Sequence, residues 1–142
     1  CPSGIEVDFL AVGGITLMER LVGYERAILI DAIVTHRYPI GNVLCCDLSD
    51  LPYPDIGHMG SAHDTTLPKA LQMGAQLGAQ LPFEIKVIAV ESQNVFDFSE
   101  ELTSPVKAAI PQAVQMILNL IHHPLSPVGD SGGNRQLKEA TI

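Results

Sequence analysis

One segment constrains the fold more than any other: Ala27 to Val34 is apolar throughout except for Asp31. A run without a polar face is typical of a central strand in a parallel sheet that helices cover on both sides. A carboxylate in such a strand is costly to bury without a hydrogen-bond donor, a cation or a metal ion. Asp31 is therefore predicted either to accept backbone N–H bonds or to serve as a ligand or catalytic group.

Strand-like and helix-like segments alternate around this central strand. Further strands are predicted at Ile5–Val12, Val43–Leu48 and Phe83–Val90, and helices at Thr16–Val22, after Thr66 and from Ser104 onward. The alternation predicts an α/β fold, a three-layer sandwich with a mostly parallel central sheet flanked by helices. Ligands of such folds lie beyond the carboxyl ends of the strands, and Asp31 sits toward such an end.

The length and the apolar content suit one domain. The chain has 142 residues, and an apolar share of 46% is enough to build one core. We predict that residues 1–123 form this domain. From Pro124 the sequence turns polar and loses its periodicity, so residues 124–142 are predicted to be a flexible tail. Cys1 leads almost directly into a strand-like segment, which makes us expect a fragment or a processed product.

Charge and composition exclude several partners. A net charge of −8 leaves no basic surface for nucleic acid and would be repelled by an anionic membrane. The apolar runs fall far short of the roughly 20 residues that span a bilayer. No signal-like segment is present, and Cys45 and Cys46 are adjacent rather than spaced for a disulfide framework. A cytoplasmic monomer is expected.

A second polar cluster lies in a glycine-rich stretch between Asp55 and Asp64, which contains His58 and His63. Imidazole and carboxylate groups together suit divalent metals such as zinc or nickel. The spacing matches no compact zinc motif, and the alternative is that one histidine caps the next helix while the other is solvated. His36, in a turn, is expected to be a surface residue.

Other familiar chemistries have no support in the sequence. Gly13-Gly14 lacks the lysine and the spacing of a phosphate-binding loop, so no nucleotide site is predicted. No Gly-x-Ser-x-Gly elbow is present. At least one of Cys45 and Cys46 should be buried and inert, and neither has a visible histidine partner, so a cysteine nucleophile is not expected.

Taken in order, several segments resemble the hydrogenase maturation protease family. They are Val12-Gly13-Gly14-Ile15, Ile28-Leu29-Ile30-Asp31-Ala32, Ser61-Ala62-His63, Lys86-Val87-Ile88-Ala89-Val90-Glu91 and Leu102-Thr103-Ser104-Pro105-Val106. The resemblance implies an aspartic-type endopeptidase that removes the C-terminal extension from the large-subunit precursor of a nickel-iron hydrogenase, and so activates that enzyme. The nickel would be carried by the precursor and recognised in trans, without an organic cofactor.

The resemblance also implies that the sandwich is of the phosphorylase/hydrolase-like kind, and it implies the site residues. Asp31 would be the catalytic carboxylate and a metal ligand, and His63 would be the imidazole ligand. Accessory positions would be His58, Asp64, Gly13 and Gly14. The family's further acidic ligand follows a Gly-x-Gly-Asn segment, and neither that segment nor the family's first strand and helix has a counterpart in this chain. Two rival hypotheses stay open: a non-catalytic binder of the nickel-loaded precursor, and an unrelated zinc hydrolase using Asp31, His58 and His63.

Overall fold

The structure is a computed structural model that describes residues 4–51, 65–93, 101–122 and 139–141. In chain order its elements are β1 (Ile5–Val7), α1 (Gly14–Leu21), β2 (Arg26–Ile33), β3 (Val43–Asp47), α2 (Leu67–Gln76), β4 (Glu84–Glu91), α3 (Ser104–His122) and β5 (Glu139–Thr141). A 3-10 turn at Leu48–Asp50 follows β3. This alternation confirms the α/β class that the sequence predicts.

The described strands form one mixed sheet in the order β1-β5-β2-β4-β3. Neighbouring strands are parallel from β1 through to β4, whereas β3 runs antiparallel to β4. In the central pair, Asp31 of β2 lies opposite Ala89 of β4, and Ile33 lies opposite Glu91. Because β2 and β4 are parallel, their carboxyl ends meet at one edge of the sheet.

Apolar side chains pack on both faces of β2 and β4. On one face Leu29 and Val87 join residues of α1 and α2, and on the other Ile28 and Ile88 join Ala109 of α3. Successive residues of a strand point to opposite faces, so Ile28 and Leu29 necessarily belong to different clusters. Within the described ranges, no helix is both long enough and apolar enough to cross a membrane.

β1 is shorter than the strand that the alternation of Ile5–Val12 predicts. The Asp8 carboxylate accepts a hydrogen bond from the N–H of Phe9 at 2.9 Å and forms an ion pair with Arg20 of α1. A side chain that bonds to its own backbone competes with strand pairing, and β1 ends at Val7. Phe9 is 93% exposed just beyond this point.

β5 lies within the segment that the sequence analysis assigned to a flexible tail. Its three residues pair in parallel with Ile5–Val7 on one side and with Arg26–Ile28 on the other. Three residues are too few to produce a periodic pattern that sequence analysis could detect. Residues 123–138 lie outside the described part of the chain, so the boundary between domain and tail stays a prediction.

Candidate functional site

Asp31 lies near the carboxyl end of β2. Its side chain is partly buried, whereas Ala27, Ile28 and Leu29 earlier in the strand are buried. The Oδ1 atom accepts a hydrogen bond from the N–H of Ala32 at 2.8 Å. The backbone donor that the sequence analysis expected is therefore present, and this bond orients the carboxylate at the strand end. The ligand and catalytic roles of Asp31 stay predictions.

Glu91, the last residue of β4, is a second carboxylate at the same edge, and it was not singled out from the sequence. It is only 1% exposed. Its Oε1 atom accepts hydrogen bonds from the N–H groups of Thr35 and His36, at 2.7 and 2.9 Å. Its Oε2 atom accepts one from the hydroxyl of Thr35 at 2.7 Å. The signal was available, because an acidic residue ends the apolar run Val87–Val90 much as Asp31 interrupts β2.

The turn held by Glu91 contains an unusual backbone conformation. His36 has a φ of 57°, in the left-handed region, which costs a residue with a side chain about 1–2 kcal/mol. The bond from its N–H to Glu91 offsets this cost, and the N–H of Arg37 donates to the Thr35 hydroxyl oxygen at 3.2 Å. The imidazole of His36 is exposed, in line with the expectation of a surface residue.

The backbone of Glu91 holds the other end of the loop that connects β2 to β3. The N–H of Gly41 donates to the Glu91 carbonyl at 2.8 Å, and the N–H of Glu91 donates to the Asn42 carbonyl at 2.9 Å. A Cβ at Gly41 would lie 2.4 Å from the carbonyl oxygen of Pro105 in the first turn of α3. We call residues 35–42 the rim loop. Glu91 anchors this loop at both ends, beside the carboxyl edge of the sheet.

Gly14, one of the predicted accessory residues, begins α1 and is buried. A Cβ there would lie 2.1 Å from the carbonyl oxygen of Thr65 and 2.8 Å from the backbone nitrogen of Leu67. The start of α1 therefore contacts the backbone that follows Asp64 directly in the sequence. Only a glycine permits this close approach, so the packing of two backbone segments explains the glycine at position 14. Gly13 occupies the N-cap position of α1.

The remaining predicted site residues, His58, His63 and Asp64, lie outside the described residues. Among the residues that the structure describes, no group of three or more His, Cys, Asp and Glu side chains could hold a metal ion. Of the predicted Asp31–His63 ligand pair, the structure thus places only Asp31. The roles assigned to the histidines stay predictions.

Cys45 and Cys46 of β3 are both free. Cys45 is exposed and Cys46 is partly buried. Burial raises the pKa of the Cys46 thiol, and the neighbouring Cys45 and the carboxylate of Asp50 raise it further. A thiol with a raised pKa is poorly ionised at neutral pH, so Cys46 has the opposite of the properties of an activated nucleophile.

An open pocket of about 270 Å³ lies between β1 and α1. Four of its polar groups form two pairs: Arg20 with Asp8, and the hydroxyl of Tyr24 with Glu6 at 2.5 Å. The hydrogen bond from Arg20 lowers the pKa of Asp8, and the bond to Glu6 raises the pKa of Tyr24. With Glu6, Asp8 and Glu19 against Arg20 in its lining, the pocket carries a net negative charge.

The fold and its edge of carboxylates define the class of protein: an α/β domain whose acidic residues gather at the carboxyl ends of parallel strands. A family model described as hydrogenase maturation protease matches residues 11–120. The match covers most of the chain, which therefore belongs to the hydrogenase maturation protease family, a family of peptidases. The resemblance seen in the sequence is confirmed.

Among solved structures, the chain is similar to the hydrogenase maturating endopeptidase HybD from E. coli, with a TM-score of 0.59 and 20% sequence identity. The match covers 77% of this chain and 65% of that chain. At this identity the likeness shows the fold. No curated protein matches the chain.

Proposed function

We propose that the protein is an endopeptidase that removes the C-terminal extension from the nickel-loaded large-subunit precursor of a nickel-iron hydrogenase. The observation that carries the proposal is the place of Asp31, a partly buried carboxylate at the carboxyl end of a central parallel strand. The family match over residues 11–120 includes it. The likeness to HybD, which is itself named a hydrogenase maturating endopeptidase, supports the fold on which the proposal rests.

In this proposal the nickel ion belongs to the substrate. Asp31 and His63 engage the ion, since a carboxylate and an imidazole together suit a divalent metal of this kind. The bond from the Ala32 N–H keeps the carboxylate of Asp31 oriented, as hydrogen bonds around metal ligands generally do. Engagement of the ion brings the scissile peptide to the carboxyl edge of the sheet. The metal then polarises the peptide carbonyl or a water molecule.

The detailed fold, the location in the cell and the partners of the protein belong to the same proposal. We infer a three-layer sandwich with a mostly parallel sheet, and the core clusters on both faces of β2 and β4 support it. The free Cys45 and Cys46 fit a cytoplasmic location, and the proposal includes a monomer without an organic cofactor. The negative net charge of −8 disfavours nucleic acid and anionic membranes as partners.

The proposal is tested by mixing the protein with nickel-loaded and nickel-free precursor and measuring intact masses. We expect a C-terminal peptide to be lost from the nickel-loaded precursor alone. Cleavage of both forms would contradict recognition of nickel. Binding of the nickel-loaded precursor without cleavage would instead support the non-catalytic binder. Stoichiometric zinc in the purified protein, together with cleavage of both forms, would favour the unrelated zinc hydrolase.

A further inference from the structure

We propose that Glu91 is a positioning residue: its buried carboxylate holds the rim loop in one conformation beside Asp31, and exposed side chains of that loop contact the precursor. The inference rests on the proposed function, because the precursor is the partner. It assigns a role to a residue that touches neither the scissile peptide nor the metal.

Three hydrogen bonds hold the Glu91 carboxylate against the turn that follows β2. Within the described part of the chain, the partners of its carboxylate are backbone and hydroxyl groups of Thr35 and His36, and no lysine or arginine pairs with it. An apolar residue would close the core at this position without the penalty of burying a charge. The carboxylate therefore has a specific consequence, which is to fix the turn that directly follows β2.

The side chain of Glu91 and the backbone around it hold different parts of the structure. The N–H of Ser92 donates to the carbonyl of Ile33 at 2.7 Å, and this bond ties the end of β2 to β4. Substitution of the Glu91 side chain leaves that bond and the ladder around Asp31 in place. It releases only the turn at Thr35 and His36. Loss of the carboxylate should therefore impair binding through the rim loop, while Asp31 keeps its position.

The rim loop carries exposed side chains at this edge of the sheet. Residues 36–40 are exposed in an unbroken row that includes Arg37, Tyr38 and Ile40. Tyr38 is 42% and Ile40 is 38% exposed although both carry large apolar surfaces. A loop that is already fixed presents such groups without a further entropy cost on binding. The row begins five residues after Asp31 and lies at the sheet edge where ligands of α/β folds bind.

The test compares steady-state processing of nickel-loaded precursor by wild-type protein, Glu91→Ala and Glu91→Gln. For Glu91→Ala we expect KM to rise about tenfold, the factor for freezing the backbone of about one residue on binding, with kcat within about threefold of wild type. Glu91→Gln retains an oxygen for the two N–H donors and should restore KM to within about threefold of wild type. If Glu91→Ala does not fold, Thr35→Val, which removes the hydroxyl that donates to Glu91 and accepts from the Arg37 N–H, should raise KM about threefold.

Glu84→Ala is the matched control, because it also removes a largely buried carboxylate of β4 but at the opposite end of the strand. Its KM should equal that of wild type. An unchanged KM in Glu91→Ala, or an equal rise in Glu84→Ala, overturns the inference while the proposed function stands. If wild type binds the precursor without cutting it, the proposed function fails, and the dissociation constants of the same variants decide the inference in place of KM. If wild type neither binds nor cuts, both are wrong.

Discussion

At the scale of single residues, Asp31 and Glu91 lie near the same edge of the sheet, Asp31 two residues before the end of β2 and Glu91 at the end of β4. The backbone hydrogen bond of Asp31 could be predicted because a charge within an apolar run must have a partner, whereas its ligand and catalytic roles stay predictions. The role of Glu91 could not, because its partners belong to a turn more than fifty positions earlier in the sequence, as its bond to Thr35 shows. A single sequence can indicate that a carboxylate is buried. It does not indicate which groups that carboxylate binds when they lie far away in the sequence.

Asp31→Asn tests the residue on which the proposed function depends. The amide keeps the size of the side chain and an oxygen for the Ala32 N–H, but it removes the charge that a metal ligand needs. We expect processing of nickel-loaded precursor to slow by on the order of 100-fold or more, the contribution typical of one ligand or acid–base group. Mass spectrometry of the precursor over time measures this rate.

Asp50→Asn supplies the control for that substitution, because Asp50 is an exposed carboxylate in the 3-10 turn after β3. It should process the precursor at the wild-type rate. Normal processing by Asp31→Asn, with the same thermal unfolding midpoint as wild type, would show that the assigned role is wrong.

At the scale of elements, periodicity predicted the long segments and failed for the short ones. β2, β4 and α3 appear close to where the apolar patterns placed them. Thr66 occupies the N-cap position of α2 as predicted, but its side chain makes no capping bond. β5 escaped prediction because a three-residue strand is stabilised by its neighbours rather than by its own sequence. The formation of β5 depends on pairing with β1 and β2, which a single sequence does not reveal.

Gly41→Ala tests the contact between the rim loop and α3. Gly41 has a φ of 85°, and a Cβ there would lie 2.4 Å from the Pro105 carbonyl oxygen. The positive φ and the forced shift of backbone should together lower the free energy of unfolding by about 2–4 kcal/mol. Urea denaturation measures the loss.

Gly78→Ala is the control for the steric part of that effect. Gly78 has a φ of 82°, but no atom lies within 4 Å of the position that a Cβ would take. In Gly78→Ala the free energy of unfolding should therefore fall only by the cost of the positive φ, about 1–2 kcal/mol. Equal losses for the two variants would show that the close approach to Pro105 does not matter to stability.

The pair of Arg26 and Glu84 tests how the starts of β2 and β4 are joined. The Nε atom of Arg26 lies 2.5 Å from Oε2 of Glu84, and the two side chains are 6% and 12% exposed. Removal of one partner leaves a charge buried, so Glu84→Met should lower the free energy of unfolding by about 3–5 kcal/mol.

The double variant Arg26→Met/Glu84→Met should be more stable than Glu84→Met alone, because the buried guanidinium that has lost its carboxylate partner in β4 is removed as well. Thermal and urea unfolding of both variants, compared with wild type, give the coupling between the two side chains. If the two substitutions are simply additive, the pair does not act as a unit.

At the scale of the whole molecule, acidic residues outnumber basic ones, with 16 Asp and Glu against 8 Lys and Arg. Several of the basic side chains lie in internal pairs, as Arg20 does with Asp8 and Lys86 with Asp47. The exposed Arg37 in the rim loop is thus set against a largely negative surface. Electrostatic attraction will favour approach of a basic partner over most of this surface.

Stability should fall in alkaline solution. Burial raises the pKa of Cys46, the hydrogen bond to Glu6 raises that of Tyr24, and the hydrogen bond to Asp47 raises that of Lys86. A raised pKa means that the folded state binds the proton more tightly than the unfolded state. Each contribution is therefore complete below the unfolded pKa, about 8.5 for cysteine and about 10 for tyrosine and lysine, and is lost as the pH rises through the folded value.

The free energy of unfolding in urea, measured from pH 7 to pH 11, should thus be level at first and decline from about pH 9. In Cys46→Ala the earliest part of the decline should disappear, whereas Cys45→Ala, which changes the exposed neighbouring thiol, should retain it. A free energy that stays constant up to pH 11 in the wild-type protein would contradict the assignment of all three groups.

The position of β5 in the sheet has a consequence for how the chain reaches its native state. β5 lies between β1 and β2, and Ile5 pairs with Glu139, 134 positions later in the chain. Contacts so distant in sequence form late and slow the search for the native topology. On the ribosome, β1 and β2 emerge long before β5, the strand that joins them, so β1 cannot enter the sheet until β5 has emerged. Until β5 pairs with them, the facing edges of β1 and β2 are open, and an open strand edge can pair with another chain and lead to aggregation.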